Sequence, residues 1–174
     1  MKKGNSRWTK QETVPRHIRE ILINNIQGKF NRREIQNLLN ENYGMRKIII
    51  QFAINKSADF DNMTVCSFML NQASDFNRAK LLNNYYGKYS PLCRACFNLS
   101  LRMIKYLTST GADVGLLNVH NETVFDVLQH ALAAEKKRYP LDTVFIEHKY
   151  KQCKDFLEQN FISNKKNKTP PPTC

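Results

Sequence analysis

The sequence predicts an all-α fold built from short helices arranged in pairs. Apolar residues recur at steps of three and four, as in Ile18, Ile21 and Leu22, which is the spacing of one helix face. Glycine, proline and polar clusters interrupt these patterns at short intervals. Convincing alternation of apolar and polar residues, the mark of a half-buried strand, is missing from the sequence. A sheet-containing fold is therefore disfavoured.

Local start and stop signals divide the chain into successive helical patterns. The first begins at Val14-Pro15 and ends at Gly28, because proline suits a first helical turn and glycine a helix end. Asn31 can cap the second pattern, with Glu34 three residues on as in a capping box, and Gly44 closes it. The remaining patterns occupy residues 45–58, 64–71, 76–86, 90–99, 101–108, 123–137 and 143–161.

The 174 residues suit one domain, which we predict over residues 13–162. Residues 1–12 are polar and basic without periodicity and are expected to form a flexible arm. Residues 163–174 are rich in lysine and asparagine and then in proline, a composition that cannot bury a core, so a disordered tail is expected.

Composition predicts a cytoplasmic protein without a membrane span. The longest apolar run, residues 48–54, is much shorter than the roughly 18 residues that a spanning helix needs. The five cysteines are odd in number and not densely spaced, which favours reduced thiols in the cytoplasm.

The net charge of +12 favours contact with anionic partners, whether nucleic acid, acidic protein or lipid headgroups. Charge alone does not choose among them. Usage rich in Asn, Lys and Ile is also what an AT-rich genome produces, so part of the charge can reflect genomic bias. Such a composition would suit a microbial or viral protein that acts on targets in the host-cell cytoplasm or nucleus.

A repeated motif organises the second half of the chain. Ser90 and Thr123 each open a helical pattern, and they lie 33 residues apart. Between them, residues 101–114 form a helical pattern with a polar exit turn, in which Gly111 suits a positive φ and Asp113 can accept backbone N–H groups. The spacing and the Gly-Ala-Asp-Val exit resemble the ankyrin repeat family, whose period is 33 residues.

The resemblance extends weakly upstream. Residues 48–61 resemble the second helix and exit turn of a repeat, with Ser57 in place of the usual glycine, and Thr64 resembles the next start. Residues 13–45 resemble the family only as a helix pair. No unit keeps the full motif, so the alternative interpretation is an irregular helical bundle.

Resemblance to ankyrin proteins implies an α-solenoid that binds another protein through a concave surface, with no cofactor. Turn tips and first helices would line that surface. The candidate partner-binding residues all lie at unit boundaries: Asp59, Asp61, Asn62, Tyr85, Tyr86, Lys88, His120 and Asn121. The tyrosines beside Lys88 could also stack nucleic-acid bases, or could pack on their own neighbours. A basic nucleic-acid binder is therefore the second hypothesis.

Signals for catalysis or metal binding are weak. Cys93 and Cys96 form a C-x-x-C pair, but a zinc site needs a second pair and a redox motif needs a βαβ setting. We therefore expect both thiols to pack as small apolar groups. The four histidines lack a nucleophile pattern, and a glycine-rich phosphate loop is missing. We expect no enzyme activity, and a small enzyme with an unrecognised site is the third hypothesis.

Overall fold

The computed structural model describes residues 14–74 and 76–168, which form nine α-helices and no β-strand. The all-α prediction is confirmed for these ranges. Within them, no helix combines the length and the apolar composition that crossing a lipid bilayer requires. The helices are α1 Arg16–Gln27, α2 Arg32–Glu41, α3 Arg46–Asp59, α4 Met63–Asn71, α5 Arg78–Leu82, α6 Pro91–Phe97, α7 Leu101–Ser109, α8 Val124–Arg138 and α9 Thr143–Lys168.

The chain ends predicted from the sequence are only partly within these ranges. The predicted arm, residues 1–12, and residues 169–174 of the predicted tail lie outside the described residues. Helix α9 continues to Lys168, past the domain end expected at residue 162.

Side-chain hydrogen bonds cap helices α2 and α8 at the starts that the sequence predicted. Thr123 and Asp126 form a complete capping box at α8: the Thr123 hydroxyl accepts the Asp126 N–H at 3.2 Å, and the Asp126 carboxylate accepts the Thr123 N–H at 2.8 Å. The box expected at α2 is only half formed. Asn31 accepts the Glu34 N–H at 3.2 Å, but the Glu34 carboxylate accepts from Asn25 instead, at 2.7 Å.

Helix α5 is much shorter than the predicted pattern over residues 76–86. The helix ends at Asn83, whose side chain accepts the Asp113 N–H at 2.7 Å and donates to the Gly111 carbonyl at 3.3 Å. Beyond it, the chain turns at Gly87, whose φ is 74°. The Asn83 side chain is thus bonded to the connection that follows α7, and the chain leaves the helix where residue spacing predicted that it would continue.

Contacts between helices follow a regular order. Helices α3, α6 and α8 each pack against the helix that follows in a pair, giving α3/α4, α6/α7 and α8/α9. Helix α1 contacts α3, α3 contacts α6, and α6 contacts α8, while α7 contacts α9. Helix α3 is central, with residues 49–55 all buried, so it carries no solvent-facing stripe.

The turns inside α3/α4 and α6/α7 have the same backbone geometry. Asp61 and Leu99 have φ values of 51° and 49°, and the next residues, Asn62 and Ser100, cap the following helices. In each turn the N–H of the capping residue donates to a carbonyl five residues earlier, at 2.8 and 3.0 Å. This helix-end arrangement recurs 38 residues apart, so the two helix pairs share one local structure.

Candidate binding surface

The predicted partner-binding residues fall on two kinds of connection. Asp59, Asp61 and Asn62 lie at the short turn between α3 and α4. The others lie on the long connections that join one helix pair to the next, residues 83–90 and 110–123. Their exposure and hydrogen bonding differ greatly.

Asp59 belongs to an internal network centred on Arg94. Two oxygens of the Asp59 carboxylate accept from Arg94 Nη1 at 2.8 and 2.9 Å, and Lys56 Nζ lies 2.8 Å from one of them. The guanidinium also donates to Asn55 Oδ1 at 3.1 Å and to the Tyr86 carbonyl at 2.6 Å. Only 15% of the Arg94 side chain is exposed. Asp59 therefore joins α3 to α6.

Arg94 itself was not predicted from the sequence. A signal exists, because the residue is charged and sits between two apolar neighbours, Cys93 and Ala95. A charge in such a place needs a buried partner. Which carboxylate supplies it could not be found locally, since Asp59 lies 35 residues away.

Asp61 and Asn62 connect neighbouring turns. The Asp61 carboxylate accepts the Ser100 hydroxyl at 2.5 Å, and the Asp61 carbonyl accepts from Arg102 at 3.1 Å. Asn62 caps α4 and donates from its side chain to the Ile26 carbonyl at 2.7 Å. Both residues thus hold one helix pair against the next.

The tyrosine segment lies over α3. The ring of Tyr86 packs edge-on against Phe52 with centroids 5.2 Å apart, and Gln51 donates to the Leu81 carbonyl at 2.9 Å. The Tyr85 hydroxyl donates to the Leu117 carbonyl. Burial raises the pKa of both tyrosine hydroxyls. The tyrosines pack on their own neighbours, as one of the sequence interpretations expected.

The tip of the connection between α7 and α8 is held by a buried asparagine. The side-chain oxygen of Asn118 accepts the N–H groups of His120 and Glu122 at 2.8 and 3.0 Å, and its amide donates to the Glu122 carboxylate at 2.7 Å. Asn121 has a φ of 60° and an exposed side chain, as has His120. Leu117 is 43% exposed.

We call the exposed side chains of Lys88, Leu117, His120 and Asn121 the loop-tip surface. The bond between Tyr85 and Leu117 ties together the two connections that carry it. Three predicted residues, Lys88, His120 and Asn121, belong to this surface, whereas Leu117 was missed. Backbone and side-chain bonds hold the two connections that carry this surface.

The four described cysteines are buried and carry free thiols: Cys66, Cys93, Cys96 and Cys153. Burial raises the pKa of Cys66 to about 12 and that of Cys153 to about 11. A high pKa disfavours the thiolate that metal ligation and redox exchange require. In residues 14–74 and 76–168, no group of three or more His, Cys, Asp or Glu is arranged to hold a metal ion.

Comparison with models of protein families, with curated proteins and with solved structures gave no match for the chain. The family suggested by the repeat motifs is therefore a proposal, and its support must come from the geometry of the molecule.

Proposed function

We propose that the chain is an ankyrin-like stack of helix pairs that binds another protein through the loop-tip surface. The order of helix contacts supports the stack, since α1, α3, α6 and α8 touch in succession. The turn shared by α3/α4 and α6/α7 supports the equivalence of these pairs.

The geometry favours a different repeat register upstream from the one expected from sequence. The sequence motif treated α3 as the second helix of a unit and Thr64 as the start of the next. The matching turns instead align α3 with α6 and α4 with α7. In the proposed stack, α3 is therefore a first helix.

The observation that carries the binding proposal is the rigid, exposed tip around Leu117. An ordered tip loses little conformational entropy on binding, and an exposed apolar side chain beside polar ones can anchor a protein partner. The first-helix face at α3 is already covered by residues 81–86. Binding is therefore expected at the tip and not in a groove over α3.

A photocrosslinking experiment tests this proposal. A photoreactive amino acid replaces His120 in one variant and the exposed Lys151 of α9 in a matched control. We expect the His120 position to crosslink one discrete protein from lysate, and Leu117→Ser to weaken that crosslink at least about tenfold. Equal crosslinking from both positions would contradict the proposal.

The alternative, a nucleic-acid binder, rests on the net charge of +12. Tyr85 and Tyr86 have internal contacts, so binding would depend on phosphate contacts. Affinity for mixed DNA and RNA should then fall by about a thousandfold or more between roughly 50 and 200 mM salt. No binding at the lower salt concentration would eliminate this alternative.

A further inference from the structure

An open groove lies between α7 and α9, away from the residues that form the loop-tip surface. Its volume is about 680 Å³. Helix α4 contributes one residue to its wall. The lining residues are Met63, Arg102, Lys105, Tyr106, Ser109, Phe156 and Asn160.

The groove combines an apolar floor with a cationic rim. Met63, Tyr106 and Phe156 are partly buried and form the floor. Arg102 and Lys105 are exposed and lie one helical turn apart on α7, where side chains three residues apart share a face. No lining residue is acidic. The rim therefore carries positive charge that the groove itself does not neutralise.

Arg102 forms an ion pair with a carboxylate just outside the groove, whereas Lys105 forms none with any described residue. Asp61 Oδ2 lies 3.8 Å from Arg102 Nη2, and the other oxygen of the same carboxylate accepts the Ser100 hydroxyl. Beyond Arg102, a second hollow of about 210 Å³ is lined by both Asp61 and Lys149. Along the two hollows, Lys105, Arg102 and Lys149 outnumber Asp61, so the net charge of their walls is positive.

We propose that this groove binds an acidic peptide segment of a partner protein. An apolar side chain of the peptide would lie on Met63 and Tyr106, and its carboxylates would lie beside Arg102 and Lys105. Nucleic acid fits less well, because the Lys105 ammonium lies 5.6 Å from the centroid of the Phe156 ring and occupies the face that a base would need. This surface is independent of the loop-tip surface.

A pair of designed peptides tests the proposal on the full chain. The first is a fluorescein-labelled peptide with leucines at i, i+3, i+4 and i+7 and glutamates elsewhere, and the second has lysines in place of the glutamates. We expect fluorescence anisotropy to report binding of the glutamate peptide and at least about tenfold weaker binding of the lysine peptide. Equal binding of the two peptides would overturn the proposal.

Charge reversal locates the binding site. Lys105→Glu is expected to weaken binding of the glutamate peptide at least about tenfold, whereas Lys137→Glu, the same charge change on the exposed face of α8, should weaken it less than about twofold. Urea unfolding checks that both variants fold. Equal losses in the two variants would overturn the proposal, as would Lys105-dependent binding of a single-stranded oligonucleotide without binding of the peptide.

Discussion

Loss of the Arg94 side chain should remove hydrogen bonds to several separate parts of the fold. Its guanidinium holds Asp59 of α3, the Asn55 side chain and the Tyr86 carbonyl at the same time. Lysine keeps the charge but lacks the planar fork that makes these bonds together. A single substitution at Arg94 is therefore expected to weaken the contact between neighbouring helix pairs.

Arg94→Lys should lower the free energy of unfolding by about 2 kcal/mol, because several partly buried acceptors lose their donors. Arg78→Lys, an equivalent change at an exposed position on α5, should change it by less than about 0.5 kcal/mol. Urea unfolding of both variants measures the difference. Similar stabilities for the two variants would refute the role assigned to the network.

The buried thiol of Cys66 predicts a dependence of stability on pH. Its pKa is about 12 in the folded chain and 9.0 ordinarily, so below pH 9 the thiol is protonated in both states. Above pH 9 the unfolded chain loses this proton first, and stability falls by about 1.4 kcal/mol per pH unit towards pH 12. The Cys66→Ala variant has no thiol to titrate, so its free energy of unfolding should not fall for this reason. In urea unfolding, the difference in free energy of unfolding between the unsubstituted protein and the variant should therefore shrink from pH 9 to pH 10.5. A constant deficit would contradict the expectation.

At the scale of the element, the turns decide how helices are joined. Asn121, Asp61 and Leu99 all have positive φ although none is glycine. Asparagine and aspartate tolerate this region better than other residues, whereas leucine does so at a cost. Leu99 is only 4% exposed, so its burial offsets that cost.

Asn121→Gly should leave the free energy of unfolding unchanged or raise it slightly, since glycine adopts a φ of 60° without strain. Asn121→Ala should lower it by about 1 kcal/mol because the alanine Cβ is strained there. The same two changes at the exposed Asn84, which does not have a positive φ, provide the control. Thermal unfolding that ranks alanine above glycine at residue 121 would contradict the assigned turn.

At the scale of the whole molecule, the proposed stack predicts nearest-neighbour coupling. Leu22 of α1 and Leu92 of α6 are both fully buried, but α1 lies at one end of the row and α6 lies between α3 and α8. In a stack, a destabilising substitution in an end unit affects mainly that unit, whereas one in a middle unit weakens its contacts with both neighbouring units. A bundle with one closed core would spread both effects.

Leu22→Ala and Leu92→Ala should each lower the free energy of unfolding of their own helix pair by about 2–5 kcal/mol, because each leaves a cavity in the core. Native-state hydrogen exchange should show that Leu22→Ala lowers protection in α1 and α2 but leaves α7 to α9 protected. Leu92→Ala should lower protection in every helix pair. Uniform loss of protection in both variants would contradict the stack.

Signals within a few residues determined the helix content and most helix boundaries. Pro15, Asn31, Ser90 and Thr123 each begin a helix where the sequence predicted one, because capping and helical spacing act over a single turn. The short α5 and the internal bonding of Asp59 were not predicted, whereas internal packing of the tyrosines was one of the interpretations that the sequence left open.

Tertiary structure alone decided which polar residues are bonded within the fold and which stay exposed. Asp59 is neutralised by Arg94, while Lys105 and Phe156 meet across two helices that lie far apart in sequence. Such pairings depend on the order in which helices pack, and the energy of burying a charge depends on what lies opposite it. The sequence by itself determined where most helices form, and packing between helices determined which side chains stay exposed.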